Sequence, residues 1–189
     1  MKFSILIIAM CFLSVVARAQ ESPTLVMTDC NFDYDYRLRY YLSPYDIHTT
    51  EDLIQQAKEL PSIQNPSDDI YCDVMTIKDK YYNQSCQKMF FLCELLDESY
   101  GLQSGIWVTE GELIVILLSD VKYSDSVTPI YETADSGKPI ICAKASRKKA
   151  IVHDYSHNRL LITFQQDNGQ YYTGWVDKSN TCASGYGAC

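Results

Sequence analysis

The spacing of apolar and polar residues changes near Gly105. From this point to Val176, short apolar or alternating runs are separated by turn residues, a pattern typical of β-strands joined by tight turns. The predicted strands are Ile106–Val108, Leu113–Leu118, Pro139–Lys144, Ala150–Tyr155, Leu160–Phe164 and Tyr171–Val176. Short strands at this spacing, with Gly and Asn at the corners, predict a small β-barrel.

In the first hundred residues the apolar positions recur mostly at helical spacing, which predicts two or three short amphipathic helices. The first begins with a capping box at Thr49 and Asp52 and ends at Pro61. The second follows Pro66, and the third starts near Ser85. Their apolar stripes are Leu53, Ile54, Ala57 and Leu60 in the first helix, Ile70, Val74 and Ile77 in the second, and Met89, Phe90, Cys93 and Leu96 in the third.

Between Cys30 and Tyr45 the aromatic residues follow a period of two, as in the alternation from Phe32 to Tyr40. This period predicts an extended segment with one aromatic face. The face is either a contact surface for a ligand or an aromatic strand packed on its own domain, and the second interpretation is favoured because buried aromatics dominate small cores.

The first nineteen residues have the pattern of a secretory signal. Lys2 gives a basic start, an apolar run extends from Phe3 to Val16, and Ala17-Arg18-Ala19 places small residues at the −3 and −1 positions. The apolar run is shorter than the roughly 20 residues that a spanning helix needs. We therefore expect a secreted or periplasmic protein with no membrane span after signal cleavage.

The charge of the chain is acidic and unevenly distributed. The formal net charge is −8, and loss of a signal with two basic and no acidic residues brings it to −10. Residues 20–104 contain 15 acidic and 6 basic side chains, whereas residues 105–189 contain 9 and 8. A nucleic-acid partner is disfavoured, since such proteins cluster Lys and Arg. The predicted division is a signal peptide at 1–19, an acidic, Cys-rich, mainly helical unit at 20–104, a barrel at 105–181 and a Cys-containing tail at 182–189.

Export also favours disulfides, because the compartment oxidises thiols and small cores benefit from cross-links. No Cys-x-x-Cys pair supports a zinc or thioredoxin-like site. On a helix, Cys86 and Cys93 would lie two turns apart on one face, so each would bond a cysteine elsewhere. The disulfide candidates, an odd number, are Cys30, Cys72, Cys86, Cys93, Cys142, Cys182 and Cys189. The predicted fold is therefore α+β, with a small disulfide-stapled helical unit followed by a barrel.

The C-terminal part resembles a known family in three stretches. These are Thr128-Pro129-Ile130-Tyr131, the turn Asp135-Ser136-Gly137 leading into Pro139-Ile140-Ile141, and Gly169 followed by Thr173-Gly174-Trp175-Val176. They are similar to the bacterial Src-homology-3-like family of exported and wall-associated proteins. The resemblance covers roughly residues 119–181 and implies a small barrel against which Trp175 packs. The chain departs from the family at residues 153–159, where the family's second Trp is missing.

Few residues indicate catalysis or metal binding. His153 and His157 are four residues apart, but a strand runs into a turn there, so two turn histidines are favoured over a metal site. The sequence contains no Gly-x-Ser-x-Gly elbow and no Gly-rich phosphate loop. We therefore predict no enzyme activity, no cofactor and no metal. Asn83-Gln84-Ser85 is a glycosylation sequon whose use depends on the host.

These observations favour a non-enzymatic binding module for a cell-wall component or a protein or peptide ligand. By analogy with aromatic grooves that hold extended peptides, the predicted contact residues are Tyr123, Tyr131, Tyr155, Tyr171, Tyr172 and Trp175, with Asp125 and Asp135 at the rim. The alternative for the tyrosines is core packing and scattered surface positions. The alternative function is a small acidic inhibitor or immunity-type protein that blocks a basic secreted enzyme by charge complementarity.

Overall fold

The computed structural model describes residues 23–28, 37–61, 74–95, 105–120, 127–144 and 147–183. The signal peptide predicted at 1–19 lies outside these ranges. The strands of the described part are β1 (Thr24–Thr28), β2 (Arg37–Tyr40), β3 (Lys58–Pro61), β4 (Val74–Asn83), β5 (Lys88–Leu95), β6 (Ile106–Thr109), β7 (Leu113–Leu117), β8 (Thr128–Ile130), β9 (Ile141–Ala143), β10 (Lys149–Tyr155), β11 (Arg159–Gln165), β12 (Tyr171–Asp177) and β13 (Thr181–Cys182). The helices are α1 (Thr50–Gln55) and a 3-10 turn (Lys178–Asn180).

Most strands belong to one antiparallel sheet in the order β12-β11-β10-β7-β1-β4-β5-β6, and β13 joins it by pairing with β7. Two further strand pairs, β2-β3 and β8-β9, are separate. β1 lies between β4 and β7 in the sheet. Strands from both sides of the predicted boundary at residue 104 are therefore hydrogen-bonded into the same sheet.

Alternation along β11 and β12 gives this part of the sheet one buried face. In β11, Leu160, Ile162 and Phe164 are buried, while the residues between them are partly exposed. β12 continues the pattern, with Gly174 and Val176 buried. Because side chains alternate between the two faces of a strand, these residues line a common core face, on which the main hydrophobic cluster lies.

A second, smaller cluster lies on the opposite face of the sheet at β5 and β6. Phe90 and Trp107 belong to it, whereas their chain neighbours Phe91 and Val108 belong to the main core. Tyr41 and Ile47 complete its buried part, and Leu53 of α1 packs against it. The segment that contains α1 thus covers the outer side of the sheet at this end.

The predicted helical unit is wrong. The second and third predicted helices fall on β4 and β5, which form a hairpin in which Asn83 pairs with Lys88. Val74 and Ile77 share a stripe only on a helix, because side chains three residues apart on a regular strand point to opposite faces, and of the two only Ile77 belongs to the main core. The only described α-helix is the six-residue α1, so the fold is mainly antiparallel β rather than α+β.

The predicted barrel is also wrong, although the predicted C-terminal strands are present. The main sheet is open: β12 at one end and β6 at the other do not pair with each other. Within the predicted barrel region 105–181, β7 pairs with β1 of the N-terminal part as well as with β10 and β13, so the sheet continues beyond this region.

The disulfide staple of the helical unit is likewise not found. Cys86 and Cys93 are free thiols, and no two described cysteine side chains lie at disulfide distance. Cys93 points into the main core, and its burial raises the pKa of the thiol well above the ordinary value. Cys182 is disulfide-bonded. The side chains of the remaining candidates, Cys30, Cys72, Cys142 and Cys189, lie outside the described ones.

The capping box of the first predicted helix is confirmed. The Thr49 side chain accepts a hydrogen bond from the backbone of Asp52, and the Asp52 carboxylate accepts from the backbone N–H of Thr49 and of His48. The helix ends at Gln55 rather than at Pro61, because Lys58–Pro61 pairs as β3 with β2.

This cap predicts a local pH dependence. The backbone N–H of His48, with the hydrogen bonds of Thr49, holds the pKa of the Asp52 carboxyl below its ordinary value of 3.8. Because the folded pKa is the lower one, the cap stabilises α1 above about pH 4 and is lost as the pH falls through the folded value. We expect the amide NMR shifts of His48 and Thr49 to titrate below pH 3.8, and not to titrate in Asp52→Asn. A midpoint at or above 3.8 in the wild type would contradict the prediction.

Candidate functional site

The feature that distinguishes this sheet is the outer edge of β12. In an antiparallel ladder, residues that bond one neighbouring strand alternate with residues that face the other side. Trp175 exchanges two backbone hydrogen bonds with Tyr131, at 2.8 and 2.9 Å, on the side away from β11. Every second residue before Trp175, namely Thr173 and Tyr171, therefore also directs its backbone N–H and C=O away from β11.

The contact with Tyr131 covers only one end of this edge. After Tyr131 the chain leaves β12 in a turn, in which the Thr133 backbone N–H bonds the side chain of Ser136. The outward backbone groups of Tyr171 and Thr173 have no partner among the described residues. Tyr171 is 70% exposed, and Thr173 is also exposed. The open part of the edge thus runs along Tyr171–Thr173, and we call it the β12 edge.

The β12 edge carries none of the devices that protect a sheet edge from pairing. Residues 169–176 contain no charged residue and no proline, and the nearest acidic residues along the chain are Asp167 and Asp177. The other end of the fold differs: Tyr41 extends the pairing from β6 toward β2, and the last strand there, β3, carries Lys58, Glu59 and Pro61. Charges and proline are the usual protection of an exposed edge. Among the described residues, one end of the sheet is therefore protected and the other is open.

The predicted contact residues divide between two faces of the sheet. One face of the sheet carries Tyr131, Tyr171 and Trp175. Tyr131 is the register partner of Trp175, and Tyr171 lies four residues before Trp175 in the same strand, so all three share this face. Tyr155 and Tyr172 face the other way and pack against the main core. Tyr123 and Asp125 lie outside the described residues, and Asp135 is exposed in a turn. The structure thus does not bring the predicted set together as one aromatic groove.

Tyr131 has a structural role, and its ring is not exposed for ligand contact. It is only 6% exposed, and its hydroxyl donates to the Asp177 carboxylate at 3.0 Å. The Arg159 guanidinium stacks 3.5 Å from the centre of its ring and donates to the other Asp177 oxygen at 2.7 Å. Arg159 also donates to the carbonyl oxygens of Thr133 and Ala134. This group holds the turn after β8 against β11 and β12, and so fixes where the β12 edge begins.

A row of polar side chains crosses the exposed face beside this edge. His153 Nε2 lies 2.9 Å from Thr163 Oγ1, which lies 2.7 Å from Thr173 Oγ1. On its other side, His153 Nδ1 is 3.5 Å from the Glu110 carboxylate. The row links three neighbouring strands and holds the side chain of Thr173. It therefore stabilises β12 against β11 where the strand lacks an outer partner.

His153 and His157 have different surroundings in the structure. His153 belongs to the polar row, whereas His157 lies in the exposed turn between β10 and β11. Within the described part of the chain, no three His, Cys, Asp or Glu side chains are grouped so that they could hold a metal ion.

Asn83 has a structural role that its sequon does not reveal. It is 3% exposed, and Nδ2 donates to the carbonyl oxygens of Pro44 and Ile47 at 2.9 and 2.7 Å. Its Oδ1 accepts from the backbone N–H groups of Ser85 and Cys86. One amide thus joins the β4-β5 turn to the segment that covers the second cluster.

The sequence predicts β12 as a strand but does not reveal its edge as the candidate site. The edge presents backbone groups, which every strand has, and not a distinctive set of side chains. A signal was present, because eight consecutive uncharged residues at 169–176 with three aromatics are unusual for a strand in so acidic a chain. The position of β12 at the end of the sheet follows from long-range pairing, which this stretch does not reveal.

In the part of the chain that the structure describes, the fold is an open antiparallel β-sheet with an unprotected edge at β12. Comparison with known proteins adds no relative, since no protein-family model, curated protein or solved structure matches the chain. No described helix has the length and apolar character needed to cross a membrane. Function is therefore inferred from the chain's own geometry.

Proposed function

We propose that this protein is an exported, non-enzymatic binding module that holds an extended segment of a partner protein along the β12 edge. The proposal depends on one observation. At an uncharged and exposed strand end, Tyr171 and Thr173 direct their backbone N–H and C=O groups away from the sheet. Export rests on the signal-like residues 1–19, and the absence of catalysis rests on the absence of catalytic motifs from the sequence.

Strand addition explains why backbone groups should be the recognition element. In an antiparallel pair, each residue that faces the partner exchanges an N–H and a C=O hydrogen bond. Tyr171 and Thr173 can therefore form about four such bonds with an incoming strand. The side chains of that strand would alternate between the exposed face beside Tyr171 and the core side beside Tyr172. This arrangement favours a protein or peptide ligand over a cell-wall saccharide, which has no strand backbone.

The proposal is tested by selecting peptides from a displayed library on the wild-type protein and measuring their affinity by fluorescence anisotropy. Thr173→Pro removes the outward N–H, and proline is tolerated at an edge where that N–H faces solvent. Tyr171→Lys places a charge on the edge. We expect each change to weaken the selected peptides at least about tenfold, the size of one or two net hydrogen bonds.

The matched control is Gln165→Lys. Gln165 is the register partner of Tyr171 and is also exposed, but it lies one strand further in. A lysine at position 165 should leave the peptide affinity unchanged. Circular dichroism would show that all variants keep the sheet. Failure to select any peptide, or peptides that bind Thr173→Pro as tightly as the wild type, would overturn the proposal.

A further inference from the structure

A cleft of about 340 Å³ opens between the start of β1 and the ends of β7 and β13, and none of the β12 edge residues lines it. Its volume is at the lower end of the range for small-molecule sites, about 300–1,000 Å³. Leu160, a fully buried residue of the main core, forms part of its wall. The lining residues are Pro23, Thr24, Leu25, Leu118, Leu160, Lys178, Thr181, Cys182 and Ala183.

Thr24 gives the cleft a polar group that the fold does not use. The residue is only 5% exposed, yet its hydroxyl has no hydrogen-bond partner among the described residues. No fully buried side-chain polar atom in the described part lacks a partner. Because the Thr24 hydroxyl has no described partner, it cannot be fully buried and must be accessible to solvent. Thr24 lines the cleft, so the cleft is where the hydroxyl is accessible. An accessible hydroxyl without a protein partner is available as a hydrogen-bond donor to a molecule in the cleft.

The described lining of the cleft differs in charge from the chain. The formal net charge of the protein is −8, but among the described residues that line the cleft Lys178 is basic and none is acidic. The Lys178 ammonium lies 5.6 Å from the centre of the Tyr155 ring. The remaining wall is mostly apolar, with Leu25, Leu118 and Leu160. The cleft therefore combines an apolar body with a hydroxyl donor and a cation.

We propose that this cleft binds a small amphipathic carboxylate. Its aliphatic part packs against Leu118 and Leu160, one carboxylate oxygen accepts a hydrogen bond from the Thr24 hydroxyl, and the Lys178 ammonium balances its charge. The site is independent of strand addition at the β12 edge, and either can fail without the other.

The test uses octanoate as the probe and octanol as its uncharged counterpart, with binding to the full chain measured by isothermal titration calorimetry. We expect octanoate to bind more tightly than octanol. Thr24→Val keeps the shape of the side chain and removes the donor, and should weaken octanoate about tenfold, as for the loss of one hydrogen bond. Lys178→Met keeps the aliphatic stem and should remove the preference for octanoate over octanol.

The matched control is Thr76→Val, because Thr76 is a buried strand threonine at 6% exposure that does not line the cleft. It should leave octanoate binding unchanged. Thr24→Val should also fold at least as stably as the wild type without octanoate, since its hydroxyl has no protein partner to lose. Absence of octanoate binding, or binding that Thr24→Val leaves unchanged, would overturn the proposal.

Discussion

Asn83→Ala should lower the free energy of unfolding by about 3 kcal/mol. The substitution leaves two carbonyl oxygens, of Pro44 and Ile47, and two backbone N–H groups, of Ser85 and Cys86, without their partner. An unsatisfied buried polar group costs about 1–3 kcal/mol, and part of this cost is recovered where water can enter. Urea denaturation followed by tryptophan fluorescence would measure the loss, because Trp107 lies in the second cluster.

The control for Asn83 is Ser85→Ala, which destroys the sequon but leaves the Asn83 amide in place. The Ser85 backbone N–H, not its side chain, bonds Asn83 Oδ1. We expect Ser85→Ala to stay within about 0.5 kcal/mol of the wild type, as for an ordinary surface change. Equal destabilisation by both substitutions would show that the amide network has no special role.

The same geometry determines how the sequon behaves in a eukaryotic host. Asn83 Nδ2 carries two hydrogens, and both are donated, to Pro44 and to Ile47. A glycan on Nδ2 would replace one of them at a site that is 3% exposed. A glycan at Asn83 and this fold therefore exclude each other, and the folded protein should carry an unmodified Asn83.

The sequence predicted the C-terminal strands well because their signals are local. β11 and β12 have strict alternation and are joined by the turn Asp167-Asn168-Gly169, in which Gly169 adopts φ of 81°. All the information for such a hairpin lies within a few neighbouring residues. The position of each strand from β10 to β12 is accordingly confirmed to within one residue at either end.

The N-terminal part was predicted wrongly because the local sequence signals neither the turn of its hairpin nor the pairing partners of its strands. The β4-β5 hairpin turns at 84–87 without glycine, and it is Gln87 that adopts a positive φ of 53°. The apolar residues flanking that turn then match a helical stripe by coincidence. The insertion of β1 between β4 and β7 joins residues about fifty to ninety positions apart, and no local pattern reports such a contact. The open edge at β12 is a consequence of that same long-range order.

The strongest effect at the β12 edge is expected from Gly174→Ala. Gly174 has an ordinary backbone conformation, so the reason for glycine is space: a Cβ atom would overlap Ile130 Cγ2 and would lie 3.2 Å from the Tyr131 carbonyl oxygen. β8 would have to move away from β12, which separates Tyr131 from Trp175. Overpacking of this kind costs about 1–3 kcal/mol, and we expect the upper end because backbone as well as side chain must shift.

A double-mutant cycle with Ile130→Ala separates this clash from a general effect of alanine on the strand. Ile130→Ala alone removes a fully buried side chain and should cost about 2–5 kcal/mol. In the double variant the new methyl group enters the space that Ile130 Cγ2 occupied, so the combined loss should be smaller than the sum by at least about 1 kcal/mol. Gly169→Ala is the contrasting control, because its Cβ meets nothing within 4 Å and its cost comes only from the positive φ of 81°. Additive losses for Gly174→Ala and Ile130→Ala in urea denaturation would show that the approach of β8 to β12 does not require glycine. In that case only the contacts of Arg159 and Tyr131 would determine where along β12 the open edge begins.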